Sequence, residues 1–337
     1  MSQADLYDVI IIGGGPAGLA AALYAARDRY KTLVLEKNGM PGGQIMLTEH
    51  IENYPGYVKV GGFELVEKQK EQVLTFGAEV VVNKGVEKLE KLENGTFRVS
   101  IRGEDSAYET KAVILAPGSD YRQLGVPGEQ ELRQAGKVSY CATCDGAFYR
   151  DKHVLAVGGG NTAVEDSVYL ATRFCRKITH IHRRTEFRAQ QVLVEELYET
   201  AKEKDIDVKL PYVLEEIVGN EDNTEIDHVK IKNVDTGRVE QLEVDGVFVF
   251  VGMIPNTNWL DGTVDRDENG YILADPVTMK TSTPGIFVAG DCRQEAAMQL
   301  ATATADGVIA AMMLKEYYRN PESWGVPLGK KTEKSGW

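Results

Sequence analysis

Two cysteines lie three positions apart in the stretch SYCATCDGAFY, at Cys141 and Cys144. They are half of the four cysteines in a chain of 337 residues. Such a pair can bind a metal ion, close a structural disulfide or act as a redox couple. Asp145 follows the second cysteine directly, where its carboxyl can serve as proton donor or acceptor to a leaving thiolate.

The other cysteines and the histidines argue against a zinc site. Zinc needs four ligands, but Cys175 and Cys292 lie far apart in the sequence without a second C-x-x-C, and the histidines show no ligand spacing. A purely structural disulfide is disfavoured because the cytoplasm reduces it. A C-x-x-C pair at a helix start has a lowered thiolate pKa, which suits disulfide exchange. The interpretation that we favour is therefore a redox-active couple.

Composition and charge are typical of a globular protein with room for two domains. Hydrophobic residues make up 43% and charged residues 26% of the chain, and the formal net charge is -13. This negative charge argues against a nucleic-acid partner, because phosphates attract lysine and arginine. We see no signal-peptide pattern, no apolar run near the roughly 20 residues that span a bilayer, and too few cysteines for a secreted disulfide framework. We therefore expect a cytoplasmic location and no membrane partner.

Two segments resemble each other and organise the chain. YDVIIIGGGPAGLAAALYAA (residues 7–26) and KHVLAVGGGNTAVEDSVYLA (residues 152–171) each join an apolar run, a glycine triplet and a helical pattern. Each predicts a strand, a tight turn and a helix, which open a βαβ unit. The fold class that we predict is α/β, with two Rossmann-like dinucleotide-binding domains.

The order of the remaining strands favours one domain inserted into the other. The apolar runs DGVFVFVG and GIFVAGDC and a long apolar helix follow the second module. A linear arrangement of two domains, the alternative, would leave the last strand and helix without a sheet to join. We expect crossings near Gly118 and Asp245. The outer domain would comprise residues 1–117 and 246–320, the inserted domain residues 118–245, and a loose polar tail residues 321–337.

The first module carries a G-x-G-x-x-G pattern directly after its strand. The residues of this pattern that we expect to contact a pyrophosphate or shape the turn are Gly13, Gly15, Pro16, Ala17 and Gly18. The next strand, KTLVLEK, ends in Glu36, where a carboxylate can accept a ribose hydroxyl. A merely structural glycine turn, the alternative, would not require an acid there. The pattern therefore predicts dinucleotide binding.

The second module repeats this pattern with the opposite charge at the end of its second strand. Its turn residues are Gly158, Gly160, Asn161 and Thr162, and Ala163 stands at the third glycine position. Where the first module has an acid, KITHIHRR and the next residues supply His182, Arg183, Arg184 and Arg188. Guanidinium groups bind a 2′-phosphate that an acid would repel. This site is therefore predicted to prefer NADPH over NADH, the alternative being a solvated basic patch.

The outer domain is the better candidate for FAD, because flavin usually needs contacts from further along the chain. The candidates for these contacts are Gly42, Gly43, Gln44, Asn53, Gly118, Gly290, Asp291, Gln299 and Leu300. Asp291 would follow a strand, in reach of a ribitol hydroxyl. The helix that opens at Gln299 could aim its positive dipole end at the flavin edge that becomes negative on reduction.

Taken together, CATCDG, GGGPAG, PGGQ, ENYPG, GGGNTA, HRRTEFRA and AGD resemble the motif set of the low-molecular-weight thioredoxin reductases of bacterial and archaeal type, in the same order over roughly residues 7–318. The resemblance implies a homodimer with one FAD per subunit that reduces thioredoxin with electrons from NADPH. It also implies that Cys144 contacts the flavin, that Cys141 attacks the disulfide of thioredoxin, and that Asp145 is the acid/base. Because the dithiol and the NADPH motif share one domain, it further implies a domain rotation about hinges near Gly118 and Asp245–Gly246.

Three features depart from that family pattern. Met298 stands where an arginine is expected near the flavin, Pro117 stands where threonine is common, and the tail carries Trp324 and Trp337. The tail is interpreted as a disordered end or, alternatively, as an aromatic lid on a flavin or at a dimer contact. Three other functions stay open: a reductase that takes electrons from ferredoxin, a reductase of another dithiol protein, and a nucleotide sensor with an idle dithiol.

Overall fold

The computed structural model describes residues 6–48, 51–260, 262–321 and 324. The strands in this part of the chain are β1 (Leu6–Ile12), β2 (Thr32–Leu35), β3 (Glu79–Val81), β4 (Val86–Lys91), β5 (Phe97–Ile101), β6 (Ala107–Leu115), β7 (Ser119–Tyr121), β8 (Val138–Ser139), β9 (His153–Gly158), β10 (Lys177–Ile181), β11 (Asp205–Lys209), β12 (Tyr212–Gly219), β13 (Ile226–Asn233), β14 (Val239–Leu242), β15 (Gly246–Phe250), β16 (Met253–Pro255) and β17 (Ile286–Val288). The helices are α1 (Pro16–Arg27), α2 (Gly62–Thr75), α3 (Glu129–Gln134), α4 (Ala142–Asp145), α5 (Asn161–Arg173), α6 (Gln191–Glu203) and α7 (Leu300–Arg319), and short 3-10 turns span Gly43–Leu47 and Gly146–Tyr149.

The chain folds as two nested α/β units. The first unit comprises Met1–Asp120 and Ile254–Trp337, and the second comprises Tyr121–Met253. The segments that connect them, β7 and β16, pair with each other as a two-stranded sheet. The insertion of one dinucleotide-binding domain into another, predicted from the order of the motifs, is confirmed.

The second crossing lies later in the chain than the expected position near Asp245. The strand β15 pairs in parallel with β9 and β8, and therefore completes the sheet of the second unit instead of returning to the first. All five of its residues, GVFVF, are buried, as in a parallel strand that is covered on both faces. The first crossing similarly follows Asp120 and not Gly118.

The first unit is built around a mixed sheet with the order β3-β2-β1-β6-β5-β4. The first half of β6 pairs with β5, and its last three residues pair in parallel with β17. Helices α1 and α7 pack closely: a Cβ atom added at Gly307 would lie 2.0 Å from the carbonyl oxygen of Ala17. A side chain at this position would therefore push the two helices apart.

The tail is packed where the structure describes it. Trp324 is 5% exposed, and its ring contacts Phe287 and Tyr317 with centroid distances of 4.9 and 5.5 Å. The ammonium group of Lys280 lies 3.7 Å from the indole centroid. A loose tail is therefore the wrong prediction at Trp324, which belongs to the core of the first unit. Trp337 lies outside the described residues.

The second unit carries a five-stranded parallel sheet with the order β11-β10-β9-β15-β8. A three-stranded antiparallel sheet, β12-β13-β14, adds to it, and of this sheet only HVKIKNV in β13 was recognisable as a strand from the sequence. Across the described ranges of both units, no helix combines the length and the hydropathy that crossing a bilayer requires.

The close packing of α1 on α7 gives a first prediction. Gly307→Ala should lower the free energy of unfolding by about 1–3 kcal/mol, the usual cost of overpacking, although alanine is the better helix former. Urea denaturation measures this change. Gly39→Ala is the matched control, because its new Cβ would meet only the Asn83 side chain, at 3.7 Å. Equal stability of the two variants would contradict the packing argument.

Candidate active site

The two cysteines form a disulfide at the beginning of a short helix. The Cys141–Cys144 bond is 2.10 Å long. Cys141 is the N-cap of α4, and its Sγ accepts a hydrogen bond of 3.2 Å from the backbone N–H of Cys144. Cys144 is exposed and Cys141 is half-buried. The sulfurs are therefore accessible and close to backbone N–H donors that favour a thiolate.

Asp145 lies half-buried beside this disulfide and is hydrogen-bonded to a serine. The Ser139 hydroxyl at the end of β8 donates to Asp145 Oδ2 over 2.6 Å. Burial raises the pKa of Asp145 above its ordinary value, and the Ser139 hydrogen bond opposes that rise. The carboxyl group thus holds a proton at higher pH than a free aspartate does. The sequence pointed to Asp145 but not to Ser139, because nothing in its spacing distinguishes this serine from a strand residue.

The other two cysteines are buried thiols. Burial is the largest cause that raises the pKa of Cys175 and of Cys292 to about 12 each. Both therefore remain protonated and unreactive at neutral pH. Among the described residues, no group of three or more histidine, cysteine, aspartate or glutamate side chains is arranged to hold a metal ion.

The first glycine turn brings the backbone against a neighbouring strand and leaves one side open. A Cβ atom at Gly13, whose φ is +109°, would lie 2.2 Å from the Ala116 carbonyl oxygen, and one at Gly18 would lie 1.9 Å from the Gly13 carbonyl oxygen. A Cβ atom at Gly15 would meet nothing within 4 Å. Helix α1 begins directly afterwards at Pro16, followed by the buried Ala17. The open space at a helix N-terminus can accept an anionic group.

Glu36 lies at this turn. It is 4% exposed, its Oε2 accepts from the Gly14 N–H over 2.8 Å, and its Oε1 accepts from the Asn38 N–H over 2.8 Å. Each carboxylate oxygen retains acceptor capacity beyond these bonds. The arrangement can therefore accept the hydroxyl groups of a ribose next to the glycine turn.

The structure connects the other candidate residues of the first unit in pairs. The Gly42 N–H donates to the Gly14 carbonyl over 2.8 Å, which holds the PGGQ loop with Gly43 against the turn. The Gln44 amide donates to the Ser119 carbonyl, next to Gly118. Asn53 Nδ2 donates to Gln299 Oε1 over 3.3 Å, at the N-cap of α7, which begins at Leu300. These hydrogen bonds thus link segments of the first unit that are distant in sequence.

An ion pair between Arg293 and Asp306 lies next to Asp291, and the sequence did not predict it. Asp306, on α7, accepts from Arg293 Nε over 2.7 Å and from the Gly290 N–H over 3.1 Å. Burial, and then the charge of Asp306, raise the pKa of Asp291 to about 6. An aspartate within the apolar helix ATADGVIAA was the available signal, because a charge on such a face needs a partner.

Two residues that depart from the family pattern, Met298 and Pro117, lie in loops that the structure describes. Met298, directly before Gln299, has a φ of +52°, an uncommon backbone conformation for a methionine. The Pro117 carbonyl accepts from the Asn256 amide over 3.2 Å. Nothing in the structure explains why proline replaces threonine at this position.

The second glycine turn has the same strand, turn and helix, with Gly158 at the end of β9 and Asn161 opening α5. A Cβ atom at Gly160 would meet nothing within 4 Å, and one at Gly159 would lie 2.3 Å from the His182 ring. Thr162 in α5 is exposed. The Asn161 side chain accepts from the Gln190 N–H over 2.9 Å, which holds the loop after β10 against the helix start.

The arginines follow His182 at this turn. Arg183, Arg184 and Arg188 are exposed, and the backbone N–H of Arg188 donates to the Gly159 carbonyl over 2.7 Å. Burial, and then these three positive charges, lower the pKa of His182. A neutral histidine surrounded by guanidinium groups can bind a multiply charged phosphate without an opposing acid. The sequence did not point to His180, which contacts the Gly158 carbonyl through Nε2 over 3.0 Å.

Known proteins resemble this chain in sequence and structure over nearly its whole length. The model of the pyridine nucleotide-disulphide oxidoreductase family matches residues 7–307. A thioredoxin reductase of Bacillus subtilis (strain 168) is 41% identical over 317 residues, or 94% of this chain and 96% of that protein. One of Peptoclostridium acidaminophilum is 44% identical over 320 residues, or 93% and 97% of the two chains. The crystal structure of thioredoxin reductase from Streptococcus pyogenes MGAS5005 has a TM-score of 0.85 and 43% identity, covering 94% of this chain and 99% of that one.

The burial of Asp291 gives a prediction for the ligand-free chain. The folded pKa of about 6 lies above the ordinary 3.8, so the ionised carboxylate destabilises the fold at any pH above about 6. Asp291→Asn should therefore raise the free energy of unfolding at pH 7 by about 3 kcal/mol. This gain should shrink as the pH falls from about 6 to about 4, where the wild-type carboxyl is protonated in both states.

Urea denaturation at pH 4, 5 and 7 measures this dependence. Asp105→Asn is the control, because Asp105 is exposed in the same unit. A gain for Asp291→Asn that does not vary with pH would contradict the assignment of a raised pKa to Asp291.

Proposed function

Because the chain belongs to the pyridine nucleotide-disulphide oxidoreductase family, we propose that electrons pass from NADPH through FAD and the Cys141–Cys144 disulfide to oxidised thioredoxin. The chain is a thioredoxin reductase. The single observation that carries the proposed path is the disulfide at the start of α4, with Cys144 exposed and the half-buried Asp145 beside it.

The residues of the first unit fit FAD. The open side of the turn at Gly15 suits a pyrophosphate, and Glu36 suits the adenosine ribose. Asp291 suits a ribitol hydroxyl, and the start of α7 at Gln299 suits the electron-rich edge of the ring. When bound, flavin supplies the ability to accept a hydride from a nicotinamide and to pass electron pairs to a disulfide.

The residues of the second unit fit NADPH. The open side of the turn at Gly160 suits its pyrophosphate, and Arg183, Arg184 and Arg188 suit its 2′-phosphate. A ferredoxin-dependent reductase would not need three arginines at this position. They therefore support NADPH as the electron donor.

The dithiol of the reduced enzyme exchanges with the thioredoxin disulfide. The Cys144 N–H directed at the Sγ of Cys141 would stabilise a Cys141 thiolate, which supports Cys141 as the attacking thiol. Cys144 then resolves the mixed disulfide and restores the Cys141–Cys144 bond. Asp145, with its raised pKa, is suited to pass a proton to the leaving thiolate of thioredoxin.

Three further assignments belong to this proposal. The dithiol and the NADPH motif both lie in the second unit, so we propose that a rotation about the connecting strands β7 and β16 presents them to the flavin in turn. A homodimer and a cytoplasmic location complete the proposal. The family resemblance supports the homodimer. The cytoplasm is a reducing compartment, which suits a dithiol that exchanges, and this supports the cytoplasmic location.

An anaerobic titration tests the whole path. NADPH added to the purified holoenzyme should bleach the flavin absorbance, and oxidised thioredoxin added next should restore it. A flavin that stays oxidised with NADPH but is bleached by a low-potential donor would instead support a ferredoxin-type reductase. A flavin that NADPH reduces but that thioredoxin does not reoxidise would point to another dithiol substrate.

Cys144→Ser should leave the flavin reducible by NADPH and abolish steady-state turnover with thioredoxin, because no second thiol resolves the mixed disulfide. Cys175→Ser is the matched control, since Cys175 is a buried thiol outside the site and should retain turnover. Turnover of Cys144→Ser at the wild-type rate would refute the electron path.

The double variant Arg183→Ala with Arg184→Ala should raise the KM for NADPH by about 10- to 100-fold, the loss expected for charge-assisted bonds to a phosphate. The KM for NADH should change little. Arg173→Ala with Arg176→Ala removes the same charge from exposed positions elsewhere in the second unit and should leave both constants unchanged. An equal rise in the KM for NADPH and for NADH would exclude the assignment of these arginines to the 2′-phosphate.

A further inference from the structure

We propose that Ser139 is a positioning residue for proton transfer by Asp145, with a hydroxyl that satisfies both protonation states of this carboxyl. The inference rests on the proposed function, in which Asp145 handles a proton during disulfide exchange. It assigns a role to a residue outside the C-x-x-C-D motif.

The Ser139 hydroxyl lies among three backbone and side-chain partners. Its Oγ is 2.6 Å from Asp145 Oδ2, 3.3 Å from the Cys141 carbonyl oxygen and 3.1 Å from the Cys141 nitrogen. A hydroxyl has one hydrogen to donate and two lone pairs to accept with. The Cys141 N–H occupies one lone pair. The hydrogen therefore has a choice of two acceptors, the carboxylate and the carbonyl.

This choice matches the two states of Asp145. When the carboxyl is ionised, the hydroxyl donates to Oδ2, as in the structure. When Oδ2 carries a proton, it can donate to the second lone pair of Oγ, and the hydroxyl hydrogen turns to the Cys141 carbonyl. Asp145 Oδ2 and the Ser139 hydroxyl thus stay hydrogen-bonded to each other in both states, and the loss of such a bond is what would make the proton transfer costly.

Because the segment is largely shielded from water, the Ser139 hydroxyl and not solvent must supply the hydrogen bond to Asp145 in both protonation states. Ser139 is 4% exposed, and desolvation is the largest influence on Asp145, acting against its ionised form. Leu170 of α5 and Phe174, the residue after this helix, lie near Gly146. The same helix carries the half-buried Asp166, whose pKa is raised to about 6 by burial and then by the charge of Glu165. Tyr149 interacts with Asp145 electrostatically: burial, and then the charge of Asp145, raise the pKa of this tyrosine. Ser139 is the described side chain that donates a hydrogen bond to this carboxyl.

The exchange requires Asp145 to occupy both states. Overall, the reduced enzyme dithiol gives two electrons and two protons to the thioredoxin disulfide: the Cys141–Cys144 bond forms and the thioredoxin S–S bond breaks. Asp145 takes one of these protons from an enzyme thiol and passes it to the leaving thioredoxin thiolate. Each transfer is accompanied by a rotation of the Ser139 hydroxyl.

The test compares Ser139→Ala with wild-type holoenzyme in two half-reactions. Flavin reduction by NADPH should be unchanged. The rate of thioredoxin reduction should fall about tenfold, and the apparent pKa in its pH profile should rise by about one unit, as expected when a carboxylate loses a hydrogen-bond donor. Ser139→Thr, which keeps the hydroxyl, should recover most of the rate. Thermal unfolding verifies that each variant is folded.

Two further variants separate positioning from structure. Ser167→Ala removes a buried hydroxyl of the same unit, one that donates to the Ala163 carbonyl over 2.8 Å, and it should leave the pH profile unchanged. In an Asp145→Asn background, Ser139→Ala should lower the rate of thioredoxin reduction little further, because the two residues act as one unit. A Ser139→Ala profile that coincides with wild type, or a full additional loss in the Asp145→Asn background, would overturn the inference alone. Absence of thioredoxin turnover in the wild type would overturn the proposed function with it.

Discussion

Both glycine turns depend on one steric constraint, the close approach of a strand end to the carbonyl of the neighbouring strand. In the first unit this approach places Gly13 against Ala116, and in the second it places Gly158 against Phe250, where an added Cβ would lie 2.4 Å from the carbonyl oxygen. Only glycine permits this contact. The contact turns the chain abruptly, so that the following helix points its N-terminus at an open space. The sheet of each unit must therefore supply the neighbouring strand, and for the second unit that strand is β15.

Although both units share the strand, glycine turn and helix, they differ in the charge of the side chain at the end of the second strand. Glu36 is held at the first turn by two backbone N–H groups, so that its negative charge is stabilised without an opposing side chain. His182 occupies the corresponding place at the second turn, packed on Gly159, and its pKa is lowered by burial and then by the charges of the nearby arginines. Two copies of one backbone arrangement thus present side chains of different charge at the end of the second strand.

The sequence predicted the features that depend on local pattern and left out those that depend on long-range packing. Glycine spacing and apolar runs were sufficient for both turns, for the nested α/β fold and for the C-x-x-C-D segment at a helix start. The crossing after β15 was not predictable, because a buried apolar strand fits either sheet equally well. The Arg293–Asp306 pair and the packing of Trp324 join segments that only the folded chain brings together. Ser139 was not predicted, because its role depends on the short distance between its Oγ and Asp145 Oδ2, which only the folded chain shows.

The nested connectivity has a consequence for the order in which the chain matures on the ribosome. The second unit is contiguous, so that all its strands have been synthesised once the chain reaches Met253. The first unit must wait for β17 and α7, and until then the end of β6 lacks the neighbour that covers it. Nascent chains thus pass through an interval with one finished domain and one unfinished sheet edge, a state that favours aggregation. The pairing of β7 with β16 joins the two halves of the first unit at the base of the insertion, and the interval ends only when β17 pairs with β6.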